Sequence, residues 1–450
     1  MRLRTLALLT TFALGCAASA GGPTAGGSGG SSPSGGRGGS GAGGSGTGGN
    51  TTGTPGSGGS GSGGSAGGAG GASAAGGSAG TGGAGGSAAA GSGGAGGPGT
   101  GGTGTGGSSP PPPPPPGSDL PIAEKMEPSF SPPGGLTVEQ VPQFIVLGFD
   151  DNRYVDGMNW VLDLLDGKTN PAGKGNARTH DGQKLIVSFY YTTDSLDAGG
   201  EALLATWRRA TAAGHEVANH THTHRALESQ GVPWNWAMEI QKSNQILQDK
   251  LGVKPGTIRG FRAPFLQFDQ ALFETLGQTG GMIYDCSLTH IPIGPEGDNW
   301  RDVRHLWPYT LHNGTDGKSG QWQVGKHPKI WEVPVYTMPT ASADRYQSSI
   351  SNLAGFDSTA YGTLGKSGPD FYNSMKWSLD LRLEKVDNRA PLTIGLHTDT
   401  YSSQHTGYAA PLEARRKALA DFIAYALTKP EVRFVSAVQM LQWMSSPVPF

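Results

Sequence analysis

From residue 142 onward the apolar positions switch between two patterns. Short segments, fully apolar at 144–149 and interrupted by one or two polar residues in most of the others, predict β-strands at 144–149, 185–191, 216–219, 258–261, 282–284, 331–336, 392–396 and 432–435. Between them, apolar residues three and four apart predict helices at 158–165, 201–213, 234–251, 269–277, 371–385, 412–426 and 438–444. Leu203, Leu204 and Trp207 share one face of the second, and the third stops at Gly252. About eight strands interleaved with helices over roughly 300 residues predict an α/β fold built on a parallel barrel. In such barrels the chemistry lies on loops at the carboxyl ends of the strands.

The first quarter of the chain is different. The 450 residues hold 77 Gly, most of them before residue 120, and Arg37 is the only charge between Ala17 and Ser118. So few apolar side chains cannot offset the entropy of ordering, which predicts a disordered Gly/Ser/Ala/Pro-rich tether over 16–118. Its expected r.m.s. reach is about 50–60 Å, and the prolines at 110–116 add a stiff spacer of about 20 Å. Residues 1–15 read as a signal peptide, with Arg2 and Arg4 before an apolar stretch. Ala13-Leu14-Gly15-Cys16 resembles the lipobox of bacterial lipoproteins, which implies acylation of Cys16 and export. Ala17-Ala18 then leans toward the outer membrane or cell surface, with plain secretion as the alternative.

Residues 119–450 remain for one domain, expected to be monomeric. A net charge of −2 excludes a broad basic surface, so nucleic acid is not an expected partner. With Cys16 acylated, Cys286 has no partner for a disulfide, and its apolar surroundings read as a buried small hydrophobe.

Candidate chemistry gathers at the predicted strand ends. The first strand runs into Asp150-Asp151-Asn152; on extended backbone adjacent carboxylates point oppositely, so one can bind a metal while the other faces substrate. The third runs into His220-Thr221-His222-Thr223-His224, a natural metal site. His220 and His224 share one face if the segment is helical, and His222 joins them only if it stays extended. Arg262, in Arg262-Ala263-Pro264-Phe265, either fixes a carboxylate or makes a surface ion pair. His397 ends another strand and is a candidate general acid.

Together these segments resemble the polysaccharide deacetylases of carbohydrate esterase family 4. The motifs that carry the resemblance are Gly148-Phe149-Asp150-Asp151-Asn152, His220 to His224, Arg262-Ala263-Pro264-Phe265 and Ile394-Gly395-Leu396-His397. Phe261-Arg262-Ala263-Pro264-Phe265, Tyr284-Asp285-Cys286-Ser287-Leu288 and Trp331-Glu332-Val333-Pro334 are similar to chitin deacetylases and chitin-deacetylase-like proteins, and the likeness spans about 142–449. The first motif departs from the family at Gly148 and Asn152, and Trp300, Trp307 and Trp331 are the candidates for the fourth.

The resemblance implies a distorted (β/α) barrel and a divalent metal, Zn²⁺ first and Co²⁺ second, held by Asp151, His220 and His224, with His222 a spacer. It implies that Asp150 is the general base, His397 the general acid and Arg262 the group that orients Asp150. The backbone of Phe265 would face the oxyanion, and Leu396 with Trp331 would line the acetyl pocket. The implied substrate is an acetylated polysaccharide containing N-acetylglucosamine, chitin-like or peptidoglycan-like. The alternatives are a catalytically inactive carbohydrate-binding barrel and an O-acetyl esterase.

Overall fold

The computed structural model describes residues 120–227, 234–290, 305–315, 323–338, 341–342, 345–346, 353–384 and 388–450. The expected signal peptide, the tether, Cys16 and Trp300 lie outside the described residues.

The chain alternates as its periodicity predicts. β1 (Gln143–Asp150), α1 (Val155–Leu165), β2 (Ser188–Tyr191), α2 (Ser195–Ala212), β3 (Glu216–Asn219), α3 (Trp236–Leu251), β4 (Gly260–Phe261), α4 (Gln270–Gln278) and β5 (Tyr284–Asp285) form the first half. β6 (Thr289–His290), β7 (Tyr309–Thr310), β8 (Trp331–Glu332), β9 (Val335–Met338), β10 (Ala341–Ser342), β11 (Arg345–Tyr346) and β12 (Leu353–Ala354) follow. α5 (Gly368–Leu383), β13 (Leu392–His397), α6 (Leu412–Leu427), β14 (Val432–Phe434) and α7 (Ala437–Ser445) complete the domain. Local chemistry sets the helix ends. Asn235 caps α3 by accepting from the Met238 N–H at 3.0 Å, and Gly252 ends it in left-handed backbone. Capping boxes start α5 at Ser367 and α7 at Ser436.

The main sheet runs β13-β1-β2-β3-β4-β5-β8-β7, with β14 pairing the first residues of β1. Every pair is parallel except β7 with β8. The ladder does not close into a full barrel. A second sheet, β12-β9-β6, lies against β13. The Gly395 N–H donates to the Gly355 carbonyl at 2.7 Å there, and the Thr393 hydroxyl to the Pro334 carbonyl. The strand expected at 331–336 is two strands, because Pro334 has no N–H to give a ladder.

Strand alternation builds two cores. Ile145, Leu147 and Phe149 pack under the helices, while Phe144 and Val146 join Tyr190, Tyr284, Trp331 and Trp443 in the barrel interior. Phe144, near the start of β1, meets Trp443 of α7 edge-on at 5.0 Å, so α7 plugs the amino-terminal end of the strands. The carboxyl-terminal end is left for chemistry. There the register makes Asp150 the direct neighbour of His397.

Candidate active site

Backbone strain is concentrated where the strands end. Asp151, Asn152, Thr221, His224, Phe265 and Leu266 all have positive φ, between 51° and 69°. Such conformations persist only where surrounding contacts hold them, and they gather at functional sites.

The two altered positions of the first motif fit this geometry. Asn152 adopts φ 63°, which Asn tolerates better than most residues. Its Nδ2 donates to the Phe149 and Tyr190 carbonyls at 2.9 and 3.0 Å, and its Oδ1 accepts from the Thr398 hydroxyl at 3.1 Å. Asn152 therefore pins the turn that a glycine would only permit. At Gly148 a Cβ would lie 2.9 Å from both Arg262 Nη2 and the Tyr190 ring, so the bare backbone admits the guanidinium beside Asp150.

Asp151, His220 and His224 converge, each offering one ligand atom, with all three atoms within 4.8 Å of one another. Asp151 Oδ1 lies 3.0 Å from His224 Nε2 and 3.6 Å from His220 Nε2. Burial lowers both imidazoles to about 4, against the pull of Asp151, so they are neutral at pH 7. Burial raises the Asp151 carboxyl, but His224, Arg153, His397 and His220 together hold it below the usual carboxylate range. His220 Nδ1 donates to the Arg262 carbonyl at 2.7 Å, which leaves Nε2 with its lone pair facing the cluster. Asp151 Oδ1 is buried with no hydrogen-bond partner. Two neutral imidazoles and an orphaned carboxylate oxygen are a donor set that a cation satisfies, and an open fourth position suits a hydrolytic site. His222 is turned away: its Nδ1 pairs with the Thr193 hydroxyl at 2.9 Å. Glu239 of α3 holds this loop through the N–H groups of His222 and Thr223.

Asp150 sits beside the trio, its Oδ2 4.0 Å from His220 Nε2. Arg262 is buried, not at the surface, and its Nη1 donates to Asp150 Oδ1 at 2.6 Å. Nε and Nη2 of the same guanidinium are held by the Cys286 carbonyl and Sγ, each at 3.0 Å, and the Tyr190 ring lies under it at 4.2 Å. Cys286 is buried and free. Burial raises the Asp150 carboxyl to about 6, although Arg262 and His397 oppose it.

His397 pairs with Asp357, which sequence reasoning missed. Burial alone would lower the imidazole, but the Asp357 charge and hydrogen bond overcome it and raise His397 to about 10. Asp357 follows β12 in a stretch of mixed polarity with no catalytic spacing to mark it. Arg153 and Asp399 were also missed, although each lies two residues from a flagged side chain. Arg153 Nη2 is 2.9 Å from Asp151 Oδ2, and its Nε is 2.7 Å from Asp399 Oδ2.

Two expectations need correction. Leu396 is fully buried in the core under the helices, because alternation along β13 sends it to the face opposite His397. Trp331 is fully buried in the barrel interior, its indole N–H donating to the Ala123 carbonyl at 2.7 Å. Trp307 is likewise buried, stacked on Trp443. The apolar side chain brought next to His397 is Phe356, 5.9 Å from the imidazole and 5.2 Å from the Arg262 guanidinium. Gly395 makes room for it, since a Cβ there would strike the Phe356 ring. Phe265 is half exposed, its ring 4.7 Å from that of His224.

Residues 138–282 match the family described as polysaccharide deacetylase. Chitin deacetylase 1 of Bombyx mori is 25% identical over 327 residues, covering 70% of this chain and 53% of its own length. Chitin deacetylase 8 of Bombyx mori is 23% identical over 327 residues, covering 70% of this chain and 74% of its own. The chain thus spans about half the length of the first of these relatives. Among solved structures, the Xyl-CE4 domain of a multidomain xylanase from the hindgut metagenome of Trinervitermes trinervoides is 14% identical. That match has a TM-score of 0.34 and covers 67% of this chain and 90% of that one.

Proposed function

From the premise that this chain belongs to the polysaccharide deacetylase family, we propose that it hydrolyses N-acetyl groups on a polymer containing N-acetylglucosamine, with a divalent cation, Zn²⁺ first, as cofactor. The observation that carries the proposal is the adjacency of three groups. The ligand set Asp151, His220 and His224 lies beside a carboxylate fixed by Arg262 and a histidine charged by Asp357.

Asp151, His220 and His224 would hold the cation, which when bound supplies Lewis acidity to polarise the acetyl carbonyl. Asp150, ionised and aimed by Arg262, accepts a proton from the attacking water. Negative charge develops on the carbonyl oxygen, and the backbone N–H of Phe265 is the donor assigned to it. As the C–N bond breaks, protonated His397 delivers its proton to the nitrogen, because an amine anion does not leave unaided. Acetate and a free amine on the sugar are the products. Phe356 is the apolar surface assigned to the acetyl methyl group.

The full chain supplied with Zn²⁺ or Co²⁺ is expected to release acetate from chitopentaose. Release from acetylxylan alone would move the substrate to an ester. No release from any acetylated glycan with metal bound would overturn catalysis and favour a binding barrel. The N-terminal reading belongs to the same proposal: acylated Cys16 ties the enzyme to the bacterial envelope, and palmitate labelling should disappear in Cys16→Ala.

A further inference from the structure

Asp151 offers two oxygens, and its surroundings treat them differently. Oδ1 has no hydrogen-bond partner and faces both imidazoles, at 3.0 and 3.6 Å. Oδ2 is engaged by Arg153 Nη2 at 2.9 Å. Arg153 is itself gripped at two points by Asp399: its backbone N–H donates to Oδ1 at 2.9 Å and its Nε to Oδ2 at 2.7 Å. Asp399 is buried in the turn directly after β13, two residues beyond His397. Guanidinium geometry is planar, so fixing the main chain and Nε fixes where Nη2 points.

We propose that Arg153, anchored by Asp399, is a positioning residue that makes Asp151 a one-oxygen metal ligand. The inference rests on the reading of Asp151, His220 and His224 as ligands. With Oδ2 occupied, Asp151 reaches the cation through Oδ1 alone. A bidentate Asp151 would fill a position that water and substrate need. The clamp also ties the metal-bearing turn after β1 to the turn after β13, and so holds the metal and His397 at a fixed spacing. Lysine carries the charge but not the fork, so it does not replace the arginine.

Co²⁺ is the test ion, because its visible absorption reports coordination number independently of turnover. The full chain and its Arg153→Met, Arg153→Lys, Asp399→Asn and His220→Ala variants are titrated against a competing chelator, with spectra recorded at saturation. Arg153→Met is expected to bind Co²⁺ about 10–100-fold more weakly, as loss of an outer partner does. Its visible bands should also weaken, as an added carboxylate oxygen raises the coordination number. Arg153→Lys should share the altered spectrum, and Asp399→Asn should show it in part. An Arg153→Met variant with wild-type affinity and spectrum overturns the inference while leaving the metal site intact. Should Arg153→Met fail to fold, a wild-type spectrum and affinity in both Arg153→Lys and Asp399→Asn overturns it equally. Failure of the wild-type chain to bind Co²⁺, or unchanged binding in His220→Ala, overturns the metal site itself.

Discussion

Asp357 accepts two hydrogen bonds from His397, one from the backbone N–H at 2.9 Å and one from the ring Nδ1 at 2.7 Å. The pair fixes both the orientation of the imidazole and its charge, because the fully buried carboxylate favours the imidazolium. Asp357→Asn is expected to lower kcat by about 10²–10⁴-fold, the usual worth of a positioned acid. The loss should come with an alkaline limb shifted to lower pH. A pH profile of the variant matching that of the parent would show that Asp357 does not tune His397.

The parent profile follows from the same two groups. Asp150, raised to about 6, acts as a base only when ionised, so activity should fall as pH drops through that value. His397, raised to about 10, acts as an acid only when protonated, so activity should fall as pH climbs through that value. A bound cation favours the deprotonated form of each group and moves both limbs downward, keeping their order. The profile of kcat/KM at saturating metal checks this.

Asn152→Gly keeps the left-handed backbone but loses three buried side-chain hydrogen bonds. We expect a loss of about 1–3 kcal/mol in stability by denaturant unfolding. Asn152→Ala should lose about 1–2 kcal/mol more, because Ala is strained at φ 63°. Equal stability in the two variants would contradict this account of the turn.

Trp331→Phe should stay folded with KM unchanged, and Trp331→Ala should cost about 3–5 kcal/mol of stability, as emptying a packed core position does. A raised KM in a stable Trp331→Phe variant would return this side chain to the substrate pocket.

Much of this architecture was legible in the sequence, and the exceptions share a cause. The strand ends carrying Asp150, His220, Arg262 and His397 could be read because short strand-like segments run there into clusters of charged residues or histidines, most sharply where the apolar run 144–149 meets Asp150. The same periodicity placed β3 at its observed bounds. What escaped depends on which face a side chain takes or on a partner from a distant segment. The family resemblance implies a pocket role for Leu396 through its place in Ile394-Gly395-Leu396-His397, yet one residue along a strand reverses the face. Asp357 belongs to the site through a contact across 40 residues, and no local pattern announces that. Arg153 and Asp399 stand beside the flagged motifs, but their pairing spans 246 residues. The unsplit strand at 331–336 overlooked the ladder bond that Pro334 cannot make.

Equilibrium dialysis followed by elemental analysis tests the centre of the account most directly. The full chain is predicted to retain one divalent ion per molecule, and Asp151→Asn or His220→Ala to lose it while remaining folded. A wild-type chain that takes up no stoichiometric metal after reconstitution, or a His220→Ala variant that keeps the full complement, would contradict it.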